Sequence, residues 1–562
     1  MKMKKLLALL LASAAVFSLA ACGDKKAGGS ASASKKQTMD ADQTYTVAMS
    51  SEPSTLDPSK VGDIYGVQLL TNTMEMLTRI RQKEDGSNEV TAAGAKSWES
   101  NDDGTVWTFH LRDNKWDDGK AVTAQDYVYG LQRMLDPKTA SPFSYMVTCI
   151  KNGEKVNAGK LPLTDLGAEA VDDHTLKLTL EAPTPYFMAL TYSAMYPVRQ
   201  DIVEKYGEKY GSEAETLVSN GPFSMKKWSH NAEIVLVRNK SYWDKQSVKL
   251  QTIDYKILSD EIAMYNSFDN GSIDTTGCGK KEWIDRFKKK SNAKYTTYAN
   301  PSVDFMFFNQ KDKLFKNENI RKAFTVAVNR DDIVKTIYQG LRKPAYTWVP
   351  EGVSTGKLGE FRKEVNYEPT KELIKENPDA KALLLKGMEE LGLGSDPSKL
   401  KVTYSMGGTA QWARDYGEYM QQAFKKTLGV TIELDYNEWP TFQSKINNYE
   451  YQIADEVMNI GYNDPMDMLI EMISTANVVP TGWVNAEFDS VMKQASTEMD
   501  ETKRVELYKK AETILLQDDC VLAPVVNSVV NRFTYDYVKN QNSNYFASTY
   551  GGMKYTYISG RK

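Results

Sequence analysis

Apolar and polar residues alternate along this chain with two different periods. Trp107, Phe109 and Leu111 alternate with Val106, Thr108 and His110, the period of two that predicts a half-buried strand. Leu176, Leu178 and Leu180 repeat that pattern around Lys177 and Thr179, and Ile234 to Val237 reads as a short apolar strand ending at Arg238. Elsewhere the period lengthens. Thr123-Ala-Gln-Asp126 has the form of a capping box and opens an amphipathic helix through Tyr127, Leu131, Met134 and Leu135 that Pro137 stops. Ile320, Ala323, Phe324, Ala327 and Val328 lie on one helical face. A further helix over 331–339 should end at Gly340, the residue type favoured just past a helix. Leu507, Ala511, Ile514 and Leu515 give one more stripe. Close alternation of the two periods, without a low-complexity segment or short repeat after Thr44, predicts an α/β body.

The N-terminal residues follow neither period. Three lysines fall within residues 1–5, and Leu6 to Ala21 is an apolar run of 16 residues without a charge. A basic start and a short apolar run describe a secretory signal peptide; a spanning helix needs about 20 apolar residues. Leu19-Ala-Ala-Cys22 resembles the lipobox of bacterial lipoproteins. That resemblance implies cleavage before Cys22 and a diacylglycerol on its sulfur. Gly23 to Gln43 has no aromatic and no β-branched apolar residue, so it cannot bury enough surface to offset its ordering entropy. Residues 22–43 are therefore expected to be a flexible tether.

Composition narrows the chemistry. At about 150 residues per domain, 562 residues make three or four domains. Lys+Arg 70 against Asp+Glu 74 gives a net charge of −4, which becomes −7 when Lys2, Lys4 and Lys5 leave with the leader. That balance argues against nucleic acid as a partner, because phosphate neutralisation needs a basic excess. No HExxH or GxSxG is present, and Gly277-Cys-Gly-Lys280 lacks the spacing of a phosphate loop. With three histidines, His110, His174 and His230, at surface-like positions, neither a metal nor a cofactor is expected and a hydrolase finds no nucleophile–base set. Cys149, Cys278 and Cys520 contain no CxxC. Three buried unpaired thiols are expected, with one disulfide plus a free thiol as the alternative. Tyr145 and Trp439 sit at loop-like positions that suit either core or a cleft wall.

A set of short segments in fixed order says more than any one of them. It comprises Ser54-Thr-Leu-Asp-Pro58, Asp103-Gly-Thr-Val-Trp-Thr-Phe-His-Leu-Arg112, Trp116-Asp-Asp-Gly-Lys120 and Asn220-Gly-Pro-Phe223. Arg238-Asn-Lys-Ser-Tyr-Trp243, Asn270-Gly-Ser-Ile-Asp274, Ile320-Arg-Lys-Ala-Phe324 and Tyr462-Asn-Asp-Pro465 continue it. Together they resemble the extracellular solute-binding proteins of peptide ABC transporters, the oligopeptide-binding family (solute-binding family 5), over nearly the whole chain after the leader. The resemblance implies an α/β fold of the periplasmic-binding-protein type II kind, three-lobed, with a discontinuous main lobe and a ligand cleft between lobes. Its implied parts are a leader 1–21, a tether 22–43, a main lobe 44–75, 194–298 and 532–562, a small second lobe 76–193 and a third lobe 299–531.

The same resemblance implies a binding protein, not an enzyme. It would be a monomer, lipid-anchored to the bilayer through Cys22 on the extracytoplasmic side, that takes oligopeptides by main-chain hydrogen bonds and delivers them to ABC permease subunits. Two strands should flank the ligand, at Val61, Gly62, Asp63 and Ile64, and at Val457, Met458, Asn459, Ile460 and Gly461. Trp439 and Tyr145 match cleft-lining positions. One departure stands out: the family usually has aspartate, the acceptor of the peptide's α-ammonium, where this chain has Gly461. The preceding Ile453-Ala-Asp-Glu-Val457 also lacks the basic residues often found there. Glycine at 461 predicts that free and acetylated peptides bind alike. The alternative is the same fold retuned to a non-peptide or terminally blocked ligand.

Overall fold

The computed structural model describes residues 39–561. The leader, the Cys22 anchor and most of the tether lie outside the described residues. Both strands predicted from alternation form, over Val106–Leu111 and Thr175–Thr179, as neighbours in a four-stranded antiparallel sheet. Phe109, Leu111, Leu176 and Leu178 fill its inner face, while His110 points outward to Glu99 at 3.6 Å. Period two fixes which face is buried, because a one-residue slip would turn every leucine to solvent.

The large sheet carries the architecture. Ten strands make up its continuous path, with the two-residue strand Lys343–Pro344 paired to the last of them: β1 (Thr44–Met49), β2 (Phe223–Ser229), β3 (Glu233–Arg238), β4 (Thr252–Ile257) and β5 (Thr275–Gly277), then β6 (Ala293–Phe308), β7 (Lys401–Gly407), β8 (Thr431–Asn437), β9 (Ile453–Asn459) and β10 (Leu522–Tyr535). They lie in the order β8-β7-β9-β6-β10-β5-β1-β4-β3-β2. Parallel pairs occur at β1/β4, β1/β5, β7/β8 and β7/β9, and the antiparallel β6 and β10 join the two parallel groups. The 298/299 and 531/532 boundaries therefore fall inside continuous strands. The β6/β10 register shifts between Ala299 and Val303, whose partners are Val529 and Asn527. Three residues of β6 thus lie opposite one of β10, a bulge that bends the strand.

The helices that matter below are α1 (Ile64–Thr73), α2 (Ala124–Leu135), α3 (Trp439–Asn447), α4 (Met466–Leu469) and α5 (Glu501–Thr513). α2 starts and stops as predicted: the Asp126 carboxylate accepts the Thr123 N–H at 2.9 Å, and Tyr127, Leu131, Met134 and Leu135 are buried. The helix expected over 331–339 instead spans Arg330–Thr336, because Gln339 takes a φ of 51° before Gly340 at 80°. α5 ends at Thr513, yet the chain continues in a wider turn that buries Ile514 and Leu515.

Residues 39–43, expected in the tether, belong to the folded body. Gln43 is buried; its amide donates to the Ile558 carbonyl at 2.8 Å and accepts the Ile558 N–H at 2.9 Å. The Asp40 carboxylate accepts the N–H groups of Gly560 and Arg561. The partner of this polar stretch is the other end of the chain, which its composition does not reveal. Cys278 and Cys520 are buried and Cys149 half-buried, all three as free thiols. Among the described residues no helix is long and apolar enough to cross a membrane, and no acidic, cysteine or histidine cluster could hold a metal.

Candidate functional site

β9 is only half partnered. On one side it pairs with β6 all the way to Asn459 opposite Ser302. On the other side β7 pairs with Ile453, Ala454 and Asp455 and then leaves. From Glu456 to Asn459 no described strand occupies that edge. Free main-chain donors and acceptors on a strand edge are a template for another strand.

Two half-exposed aromatics stand beside this edge. Trp439, 54% exposed, opens α3 with its ring against Gly407, the last residue of β7. Gln443 of the same helix donates to the Glu456 carboxylate at 2.6 Å, which fixes α3 against β9. Tyr145, 46% exposed, reaches the residue that follows β9 by one turn of chain: a methyl group on Gly461 would meet the Tyr145 hydroxyl and lie 3.0 Å from Met146 Cε. Neither aromatic is core. Val457 is 52% exposed and Asn459 is exposed, whereas Met458 packs on the core and Ile460 is buried, the alternation of a strand end.

The segment Val61–Ile64 is not a strand. Asp63 caps α1: its carboxylate accepts the Gly66 N–H at 2.8 Å, and also the Ser54 N–H and hydroxyl. Ile64 is already helical and Val61 is buried. Aspartate ahead of a helical run is an N-cap signal that the strand expectation overlooked. Gly62 lies against Pro142, whose Cγ would be 3.0 Å from a methyl group there. The stretch Pro142–Met146 thus touches Gly62 at one end and Gly461 at the other.

The loop after β9 is held from several sides. The Ile460 N–H donates to the Pro301 carbonyl at 3.2 Å, and the Gly461 carbonyl accepts the Tyr550 hydroxyl at 2.9 Å. Tyr462 stacks on Tyr186 with ring centroids 5.2 Å apart. The Asp464 carboxylate accepts the Met466 N–H at 3.0 Å, starting α4, and takes Arg504 and Tyr508 of α5 at 2.8 Å each. Burial raises the Asp464 pKa, and the Arg504 charge opposes that rise. Between Tyr145, Tyr186 and Tyr462 lies a cavity of about 480 Å³.

Three further groups were missed in the sequence. Asp467 on α4 accepts the Gly461 N–H, and burial pushes its pKa up to about 7. Glu471 lies one turn further on and is raised to about 8 by burial and then by the Asp467 charge. Tyr550 arrives from the C-terminal end of the chain. The signal for Asp467 was the run Asn463-Asp-Pro-Met-Asp467, in which proline opens a helix whose first turn carries an acid back toward the preceding loop. Of the other nearby acids, Glu456 is engaged by Gln443 and Asp464 by Arg504, while Asp455, raised to about 8 by burial, lies beside Asp304 with its Oδ1 likewise unpartnered.

Residues 89–479 match the model of the bacterial extracellular solute-binding proteins, family 5, middle region. The chain is a family 5 solute-binding protein. This solute-binding protein is 35% identical to the oligopeptide-binding protein OppA of Bacillus subtilis, over 90% of this chain and 91% of that one. It is 34% identical to the dipeptide-binding protein DppE of the same organism, covering 93% of both. It also resembles the substrate-binding domain of an oligopeptide ABC transporter from Bacillus anthracis, with a TM-score of 0.74 and 31% identity, over 93% of this chain and all of that one. Its mixed α/β sheet is the type II periplasmic-binding architecture. Family 5 members are binding proteins of transporters, so this one is not an enzyme.

Proposed function

We propose that this solute-binding protein captures oligopeptides outside the cytoplasm and delivers them to the permease subunits of an ABC transporter. The observation that carries the reading is the unpaired edge of β9 from Glu456 to Asn459, flanked by half-exposed Trp439 and Tyr145. A peptide added there as a strand gains main-chain hydrogen bonds whatever its sequence, and the aromatics meet its side chains. The backbone of Val61–Gly62, across the Pro142–Met146 stretch, is the second wall; Asp63 and Ile64 act there by starting α1. The relatives named for oligopeptide and dipeptide binding support this reading.

In the same proposal the mature chain is a monomer anchored to the bilayer by lipid on Cys22, with no cofactor. Residues 76–193 form the second lobe and 299–531 the third, hinged to the main lobe through β6 and β10. Calorimetric titration with alanine peptides of two to six residues tests it. Binding that tolerates changes of side chain but fails when backbone N–H groups are methylated is the expected result. If no peptide binds and native mass spectrometry of the purified protein shows a bound non-peptide mass, the fold serves another solute.

A further inference from the structure

The region around Gly461 has an electrostatic imbalance. Asp467 is 4% exposed, yet only one of its oxygens, the one facing the Gly461 N–H, is used; Oδ1 has no hydrogen-bond partner. That oxygen lies 3.3 Å from where a methyl group on Gly461 would sit, a spot that the Tyr145 hydroxyl now fills. Oε2 of Glu471 is likewise buried and unpartnered. Among the described residues neither acid has a cationic neighbour to offset its burial; the nearby guanidinium of Arg504 belongs to Asp464. Tyr145 covers the spot with its hydroxyl while much of its ring stays exposed, so a ligand entering there has to displace one side chain that is anchored at its tip and not along its ring.

We propose that Asp467, supported by Glu471, holds an ammonium group of the bound ligand in the space beside Gly461. This rests on the peptide-binding reading and refines it: the carboxylate absent at 461 is supplied six residues later, from the first turn of α4. It replaces the expectation, drawn from Gly461 alone, that the ligand's amino terminus goes unread. An unpaired buried carboxylate is costly, and a charge-assisted hydrogen bond to an ammonium removes that cost. The ammonium is either a peptide amino terminus or a lysine side chain. The groups facing Asp467 are Asp464, Glu471, Tyr145, Tyr462, Tyr545 and Tyr550, and none of them is a cation.

The test titrates the full-length protein at pH 7.5 with tetra-alanine, N-acetyl-tetra-alanine and an acetylated peptide carrying one lysine, each against wild type, Asp467→Asn and Glu471→Gln. The expected result is a preference of about 10- to 150-fold for an ammonium-bearing peptide, the range of a hydrogen bond to a charged group. Asp467→Asn should bring that ratio near one. Scanning calorimetry of the variant shows that it is folded. Tight binding of the lysine peptide with weak binding of tetra-alanine assigns the ammonium to a side chain, the reverse assigns it to the amino terminus, and tight binding of both shows that the space takes either. Equal binding of all three peptides to wild type, or a preference that survives both substitutions, overturns the anchor and leaves peptide capture standing. Absence of binding by every peptide overturns peptide capture, and the anchor with it.

Discussion

Replacing Asp467 by asparagine should change how the ligand-free protein's stability depends on pH. Burial raises the folded-state pKa of Asp467 from 3.8 to about 7, which corresponds to about 4 kcal/mol in favour of the neutral carboxyl. Because the folded value lies above the unfolded one, this stability is fully present below about pH 4 and is lost as the pH climbs through 7. Integrated between pH 5 and 8, the loss is about 2–3 kcal/mol. With about 2 cal/mol/K of unfolding entropy per residue, a body of roughly 520 residues turns that into a fall of about 2–3 °C in melting temperature. Asparagine keeps the acceptor for the Gly461 N–H and carries no charge at any pH. Scanning calorimetry of both proteins without ligand, from pH 5 to 8, should therefore show the variant gaining on the wild type as the pH rises. Glu471→Gln should add less than its own share, since the two acids titrate as a coupled pair. A wild-type minus variant difference that is flat with pH would refute the argument. In that case Asp467 is either solvated or paired in solution.

Trp439→Ala should weaken peptides bulky at one position by about 1–3 kcal/mol and leave small-side-chain peptides nearly unaffected, as read by titration of a peptide series. Arg504→Met should destabilise the protein by about 3–5 kcal/mol in urea unfolding, because Asp464 is then left buried without its cation. Cys22→Ala should move the protein to the soluble extracytoplasmic fraction or leave it as precursor; fractionation identical to wild type would rule out the lipid anchor.

The elements that could be read from the sequence are those whose signal is local. Leu176, Leu178 and Leu180 declare a buried face by themselves, and Thr123 with Asp126 and Pro137 brackets α2. The candidate site was legible in position but not in chemistry. Gly461 could be picked out as a departure, yet nothing near it in sequence states that Tyr145 and Tyr550 converge there from distant parts of the chain. Asp467 becomes relevant only once Pro465 has started α4 and turned it back. The strand at Val61–Ile64 was what the family resemblance implied, whereas this chain's own Asp63 ahead of a helical run is an N-cap signal. The free edge of β9 is a property of where β7 stops, and no feature of residues 456–459 alone encodes it.

The bulge in β6 has a mechanical consequence. Pro301 lies within the stretch that leaves the β10 register, and its carbonyl accepts the Ile460 N–H. The irregular stretch of the sheet is thus tied by one hydrogen bond to the residue before Gly461. A rotation between the two halves of the sheet loads that bond directly, without passing through any side chain. Hydrogen–deuterium exchange at the Ile460 amide is accordingly the place to look for a change of lobe position. On the lobe arrangement proposed above, its protection should differ between ligand-free and ligand-bound protein, and identical protection in the two would argue against hinging at this bulge.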